Sequence, residues 1–164
     1  MNTELEAVLN IDPSDENPRN SEGDFARLRD GRIFFAYTNF YGGGADHGAA
    51  FIAGRYSHDA GRTWSDEDRL VLENEGGCNV MSVSLFRFRD DALGIHYLRK
   101  DHQYRLCRGF VRKSDDEGRS WSPPVLATPR HTYNVVNNNR VVRLSTGRLI
   151  VPASMHHPEG EKRL

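Results

Sequence analysis

The residues best suited to chemistry fall at the ends of apolar runs. Asn79 and Met81 precede one such run. Arg99 and Lys100 end the next, which also carries His96. Asn134, Asn137, Asn138 and Arg140 precede a third, and His156 and His157 follow a fourth. An amide side chain donates and accepts at once, so clustered asparagines suit sugar hydroxyls. Arginine grips a carboxylate through two parallel hydrogen bonds. The stretch Tyr41-Gly42-Gly43-Gly44-Ala45-Asp46-His47-Gly48-Ala49 has a backbone free to fold over a ligand, and it sets one carboxylate beside one imidazole. From the residues alone, Asp46 reads either as a reacting group or as a solvated side chain of a flexible loop. His47 reads as a neighbour that orients or hydrogen-bonds. His156-His157 has no third ligand at a metal-binding spacing, so no metal and no cofactor is expected.

The elements that must position these residues read as strands. Phe25 to Leu28 is a short run closed by Arg29-Asp30-Gly31-Arg32, and Asp-Gly between apolar runs is a strong hairpin signal. Ile33 to Tyr37 and Ala49 to Tyr56 follow. The order then recurs: Val83 to Phe88, a turn at Arg89-Asp90-Asp91, then Ala92 to Leu98 and Leu106 to Lys113. A third round starts at Arg140 to Leu144, turns at Ser145-Thr146-Gly147-Arg148 and continues from Leu149 to Ala153. No segment has a helical period, so the chain is expected to be an all-β repeat array.

Two octapeptides punctuate the repeats. Ser57-His-Asp-Ala-Gly-Arg-Thr-Trp64 and Ser114-Asp-Asp-Glu-Gly-Arg-Ser-Trp121 start 57 residues apart. Asp59 and Asp116 can accept hydrogen bonds from turn amides. Gly61 and Gly118 supply positive φ. Thr63 and Ser120 can bond within the loop, while Trp64 and Trp121 can plug the turn against a sheet. Both octapeptides are expected to be structural, and an EF-hand reading of Asp115-Asp116-Glu117 lacks the spaced ligand series that calcium needs.

This pair of Asp boxes, with repeated strands, resembles the sialidase (neuraminidase) superfamily and its BNR repeats. Arg105-Leu106-Cys107 leading into the second box, and Gly147-Arg148-Leu149-Ile150-Val151-Pro152-Ala153, resemble the second and third blades of such enzymes, and the likeness covers residues 19–157. The resemblance implies a β-propeller of roughly six four-stranded blades, of which this chain would supply about the first two and a half to three. A propeller must close to protect its edges, so the chain is expected to be an N-terminal fragment, inactive alone. Residues 1–23 are expected to be an irregular lead-in and 24–164 the partial propeller.

The resemblance also implies exo-hydrolysis of a terminal sialic acid or related sugar with retention, using a Tyr–Glu nucleophile pair, an Asp acid/base and an arginine cluster on the sugar carboxylate. Asp46 matches the acid/base position. The nucleophile pair and the last Arg would lie in later blades, and Tyr97 and Tyr133 are expected to be packing residues. The chain departs from the family where an Arg-Ile-Pro motif usually opens blade one: Ser21-Glu22-Gly23-Asp24-Phe25 stands there, with Glu22 near the Arg slot and Arg19 able to substitute. A second expected Arg is replaced by Asn39-Phe40-Tyr41. A neutral or differently charged glycan therefore stays open, and so does a non-catalytic propeller that binds glycans or a protein partner. The candidate substrate-binding set is Arg19, Glu22, His47, Asn79, Arg99, Asn137, Asn138, Arg140 and His156.

Composition narrows the remaining classes. The 164 residues suggest one domain. A net charge of -1 gives no bulk case for nucleic acid or an anionic membrane. No apolar run is long enough to span a bilayer. No basic-then-apolar leader opens the chain, so a cytoplasmic location is expected. Cys78 and Cys107 form no disulfide framework and no metal spacing.

Overall fold

The computed structural model describes residues 6–156, apart from the side chain of Glu22. They hold twelve strands and no helix. The first sheet is a meander of β1 (Arg19–Arg27), β2 (Ile33–Phe40), β3 (Ala50–Ser57) and β4 (Arg69–Leu72), in that order. The second sheet repeats it with β5 (Asn79–Arg87), β6 (Leu93–His102), β7 (Leu106–Ser114) and β8 (Val125–Leu126). Two strands extend this second sheet: β9 (Tyr133–Val135) pairs in parallel with β7 through Cys107, and β12 (Ser154–His156) pairs with β9. Between these two in sequence, β10 (Val142–Arg143) and β11 (Leu149–Ile150) form a separate hairpin.

Three hairpins share one turn. Leu28 N–H donates to the Arg32 carbonyl and Gly31 N–H to the Leu28 carbonyl; Phe88 with Ala92 and Asp91, and Leu144 with Arg148 and Gly147, repeat both bonds. Gly31, Asp91 and Gly147 all take positive φ, at 88°, 66° and 86°. That conformation matches the turn to the twist of its strands. An aspartate tolerates it in the second repeat because its short polar side chain bonds locally.

The first two sheets pack face to face. Phe34, Ile52, Val71 and Leu72 of the first join Leu85, Ile95, Tyr97 and Phe110 of the second in one buried cluster. Trp121 packs on its edge. Trp64 instead stands against Phe25 and Phe35, 5.6 and 6.1 Å between ring centroids. The boxes have the expected form. Asp59 accepts from Thr63 N and Oγ1 at 2.8 and 2.7 Å, and Asp116 from Ser120 N and Oγ at 2.8 and 2.6 Å. Ser57 and Ser114 add a bond from the Gly61 and Gly118 amides. Ala60 and Glu117 also adopt positive φ, 62° in both. Glu117 pairs with Arg87 of β5 at 2.7 Å and reaches back to the first sheet's turn, accepting the Arg29 amide at 2.8 Å.

Several boundaries differ from expectation. β1 begins at Arg19, so the irregular lead-in ends at Pro18 and does not run to residue 23. The Arg-Asn-Ser-Glu-Gly-Asp stretch has no apolar alternation, and its strand form comes from pairing with the buried β2. The third round is shorter than expected, with β11 covering Leu149–Ile150 alone. β4, β8, β9 and β12 were too short to show a period. No helix among the described residues is long and apolar enough to cross a membrane.

Two buried polar groups report on the sheet packing. Asp24 on β1 accepts from Leu85 N–H of β5 at 2.8 Å and from Phe25 N–H at 2.7 Å, and burial raises its pKa against the pull of those amides. Replacing it by Ala strands a buried amide, so Asp24→Ala should cost about 2 kcal/mol. Urea unfolding with an unchanged slope checks this. His96 on β6 is fully buried with neither ring nitrogen partnered, and burial lowers its pKa from 6.5 to about 4. The unfolded chain therefore binds a proton that the folded chain refuses, and stability falls as pH drops from about 6.5 to about 4. That loss should reach about 3 kcal/mol. A His96→Leu variant should flatten this segment of the stability–pH profile, and an unchanged profile would contradict the assignment.

Candidate functional site

A cleft of about 520 Å³ opens where the first ends of β1 and β5 meet the segment from Tyr133 to Arg140. Irregular backbone shapes its walls. β1 has a register break between Ser21 and Gly23, with Glu22 as the extra residue, and β5 has one between Met81 and Ser84, where Ser82 takes φ of 60°. Such bulges re-aim side chains out of the ladder. Asn139, at φ 50°, turns the third wall, and its amide donates to the Val83 carbonyl.

The loop of residues 41–49 carries Asp46 to the mouth of this cleft. It is held from the second sheet. The buried Asn79 amide donates to the carbonyls of Asp46 and Gly48 at 3.0 and 2.8 Å, and Lys100 Nζ donates to the same Asp46 carbonyl at 2.7 Å. Lys100 is buried, with its ammonium 5.7 Å from the Tyr133 ring centroid. The Asp46 carboxylate itself is exposed, with 69% of the side chain accessible, and Arg19 Nη1 lies 2.6 Å from Oδ1. Arg19 also donates to the Gly44 carbonyl and stacks on Phe40, 4.6 Å from the ring centroid. The hydrogen bond from Arg19 is the main cause that lowers the Asp46 pKa, with the charges of Arg19, Lys100 and His47 adding to it. Asp46 is therefore a carboxylate at neutral pH.

The cleft gathers Arg19, Asp46, Asn137, Asn138 and Arg140 of the residues expected from sequence. Asn79 stands behind the loop as its anchor. His47 is bound to Gln103 on the rim, 3.0 Å from Nδ1. Glu22 occupies the β1 bulge, and its side chain lies outside the described atoms. Two candidates are elsewhere. Arg99 lies against Asp101 and over Phe110, 4.7 Å from its centroid, because its position on β6 faces the first sheet. His156, on the β12 edge, packs near Tyr133 and does not line the cleft. His157 lies outside the described residues. Tyr97 is buried as a packing residue, its hydroxyl shared with Glu75 and Arg112. Tyr133, expected only to pack, lines the cleft.

Ser82, Asn139 and Cys107 also line it and were missed. Positive φ at a serine leaves no mark in sequence, and β9 brings Tyr133 beside Cys107 through a parallel pairing too short to detect. Burial pushes the Cys107 thiol up to about 12, so it is an inert wall. Among the described lining residues Arg19, Lys100 and Arg140 are cationic and Asp46 alone is anionic. With the asparagine amides, these groups give the cleft hydrogen-bond donors, acceptors and an excess of positive charge. Among the described residues no group of three or more His, Cys, Asp or Glu is placed to hold a metal.

Comparison with known protein families finds no match, and comparison with curated proteins finds none. Among solved structures the chain resembles a protein of unknown function from Dyadobacter fermentans, with a TM-score of 0.64 at 16% identity over 84% of this chain. The match covers 46% of that protein's chain, so the present chain spans less than half its length. At this identity the likeness shows the fold alone.

The Arg19–Asp46 pair gives a direct test. Arg19→Gln removes the largest cause of the lowered pKa, so the Asp46 carboxyl should titrate at higher pH than in the parent protein. Carbon-detected NMR of the Asp46 carboxyl would read this, and an unmoved titration would mean that the pair is not formed in solution.

Proposed function

We propose that this chain is part of a sialidase-like β-propeller of about six blades, and that its cleft serves exo-acting, retaining hydrolysis of a terminal sialic acid or a related acidic sugar. The observation that carries this reading is Asp46, held at the mouth of an amide-lined, cationic cleft by Asn79 and Lys100 of the neighbouring sheet. The repeated turns and the two boxes support the propeller part, since the same local bonds recur in successive hairpins. Asp46 would donate the proton to the leaving oxygen. Arg19 would leave the Asp46 carboxylate for the carboxylate of the sugar, and in doing so would let Asp46 take up a proton. The Tyr and Glu of the reaction would come from blades beyond these.

A second reading is favoured by one specific contact. Arg19 holds Asp46 ionised, which is the wrong state for a general acid at rest. A propeller that binds acidic glycans without cleaving them would keep that pair closed.

The two readings separate on one variant. In the protein carrying all its blades, Asp46→Asn should lower turnover of 3′-sialyllactose, whose alkoxide leaving group needs a proton, by 100-fold or more, on the order expected for loss of a general acid. Equal turnover by the parent and the variant would remove Asp46 from the chemistry. Binding of sialosides with no turnover by either would favour the second reading.

A further inference from the structure

A second hollow adjoins the cleft. It measures about 410 Å³ and is lined by Val135, Asn137, Arg140, Pro152, Ala153 and Ser154, of which the first three also line the cleft. Arg140 thus borders both. Its backbone is fixed on the β5 edge: its amide donates to Ser84 Oγ at 3.0 Å, and the preceding Asn139 amide donates to the Val83 carbonyl at 3.0 Å. Its side chain is exposed, and among the described residues the guanidinium has no hydrogen-bond or ion-pair partner. The other two cations of the cleft are engaged. Arg19 is paired with Asp46 and stacked on Phe40, and the buried Lys100 donates to the Asp46 carbonyl. Of the three, only Arg140 keeps its fork of N–H donors for an incoming group. Among the described residues no carboxylate lines the second hollow, whose other polar side chains are the Asn137 amide and the Ser154 hydroxyl. A guanidinium on a backbone fixed in advance, flanked by neutral donors in a concave wall, suits a small oxyanion held through two parallel N–H···O bonds.

We propose that Arg140 receives a second anionic group of the ligand, a sulfate ester or a second carboxylate, in the adjoining hollow while the first carboxylate sits in the cleft. The ligand class is then a doubly charged glycan. The inference rests on the acidic-sugar reading of the cleft, and it holds whether or not that sugar is cleaved. On that reading Arg19 turns to the first carboxylate, and Arg140 is left for the second. The two hollows share Asn137 as well as Arg140, so a single ligand can reach from one into the other. A singly charged sugar leaves Arg140 facing no anion among the described lining residues. A second anion supplies that partner.

The test compares 3′-sialyllactose with two doubly charged relatives, its galactose 6-sulfate and α2,8-disialyllactose, each titrated against the protein by calorimetry. At least one of the two should bind about five-fold tighter than 3′-sialyllactose, the upper range for a solvent-exposed ion pair. The relative that does so identifies the second anion as sulfate or carboxylate. Arg140→Gln should bring that affinity ratio to within about twofold of unity, and Arg140→Lys, which keeps the charge without the fork, should fall between the two. Added salt should shrink the parent ratio, since the pair is exposed. Equal affinity of the parent for all three ligands, or a ratio that survives in Arg140→Gln, overturns the second-anion site and leaves the acidic-sugar reading standing. Binding of none of them by the parent protein overturns both. Because the Arg140 side chain is exposed, thermal melting of the Gln variant should match the parent and exclude loss of fold.

Discussion

One hydrogen bond from an edge strand carries much of the architecture. β5 is the last strand of its sheet, so its outer N–H and C=O groups have no ladder partner. They are taken up from both sides. Asp24 of the first sheet accepts the Leu85 amide, Asn139 donates to the Val83 carbonyl, and Ser84 Oγ accepts the Arg140 amide. Buried backbone groups need partners, so the neighbours must sit where these bonds can form. The cleft lies along the same edge, and its shape follows from how that edge is satisfied.

The loop carrying Asp46 depends on the same packing. A stretch with four glycines would be loose by itself. Asn79 and Lys100 reach it from β5 and β6, so the position of Asp46 is set by the second sheet as much as by its own. A buried lysine needs compensation, and the Asp46 carbonyl and Tyr133 ring provide it directly. Arg19 closes the arrangement from β1. The candidate site is thus a product of the contact between sheets.

What could be read from sequence was whatever repeated. The three hairpin turns, the two boxes and the long apolar runs of β2, β3, β6 and β7 are local patterns with strong physical causes. The limits of the 41–49 loop were legible because glycine and apolar residues meet there abruptly. The polar half of β1 was not, since its strand form is imposed by β2. Arg99 was misplaced because one step along a strand reverses the face, and its neighbour Lys100 is the one that turns to the cleft. Ser82 and Tyr133 were hidden for another reason, since a bulge and a short parallel pairing depend on residues far away in the chain.

The Asp24–Leu85 bond also bears on how the chain assembles. The two residues lie 61 positions apart, and the whole first sheet falls before the second of them. During synthesis β1 to β4 can pair while Asp24 is still hydrated. Its carboxyl loses that water only when β5 docks, and it meets the Leu85 amide in the same event. Docking of the second sheet therefore desolvates the carboxyl and supplies its hydrogen bond in the same place. The buried carboxyl thus favours the one alignment of the two sheets that brings the Leu85 amide to it.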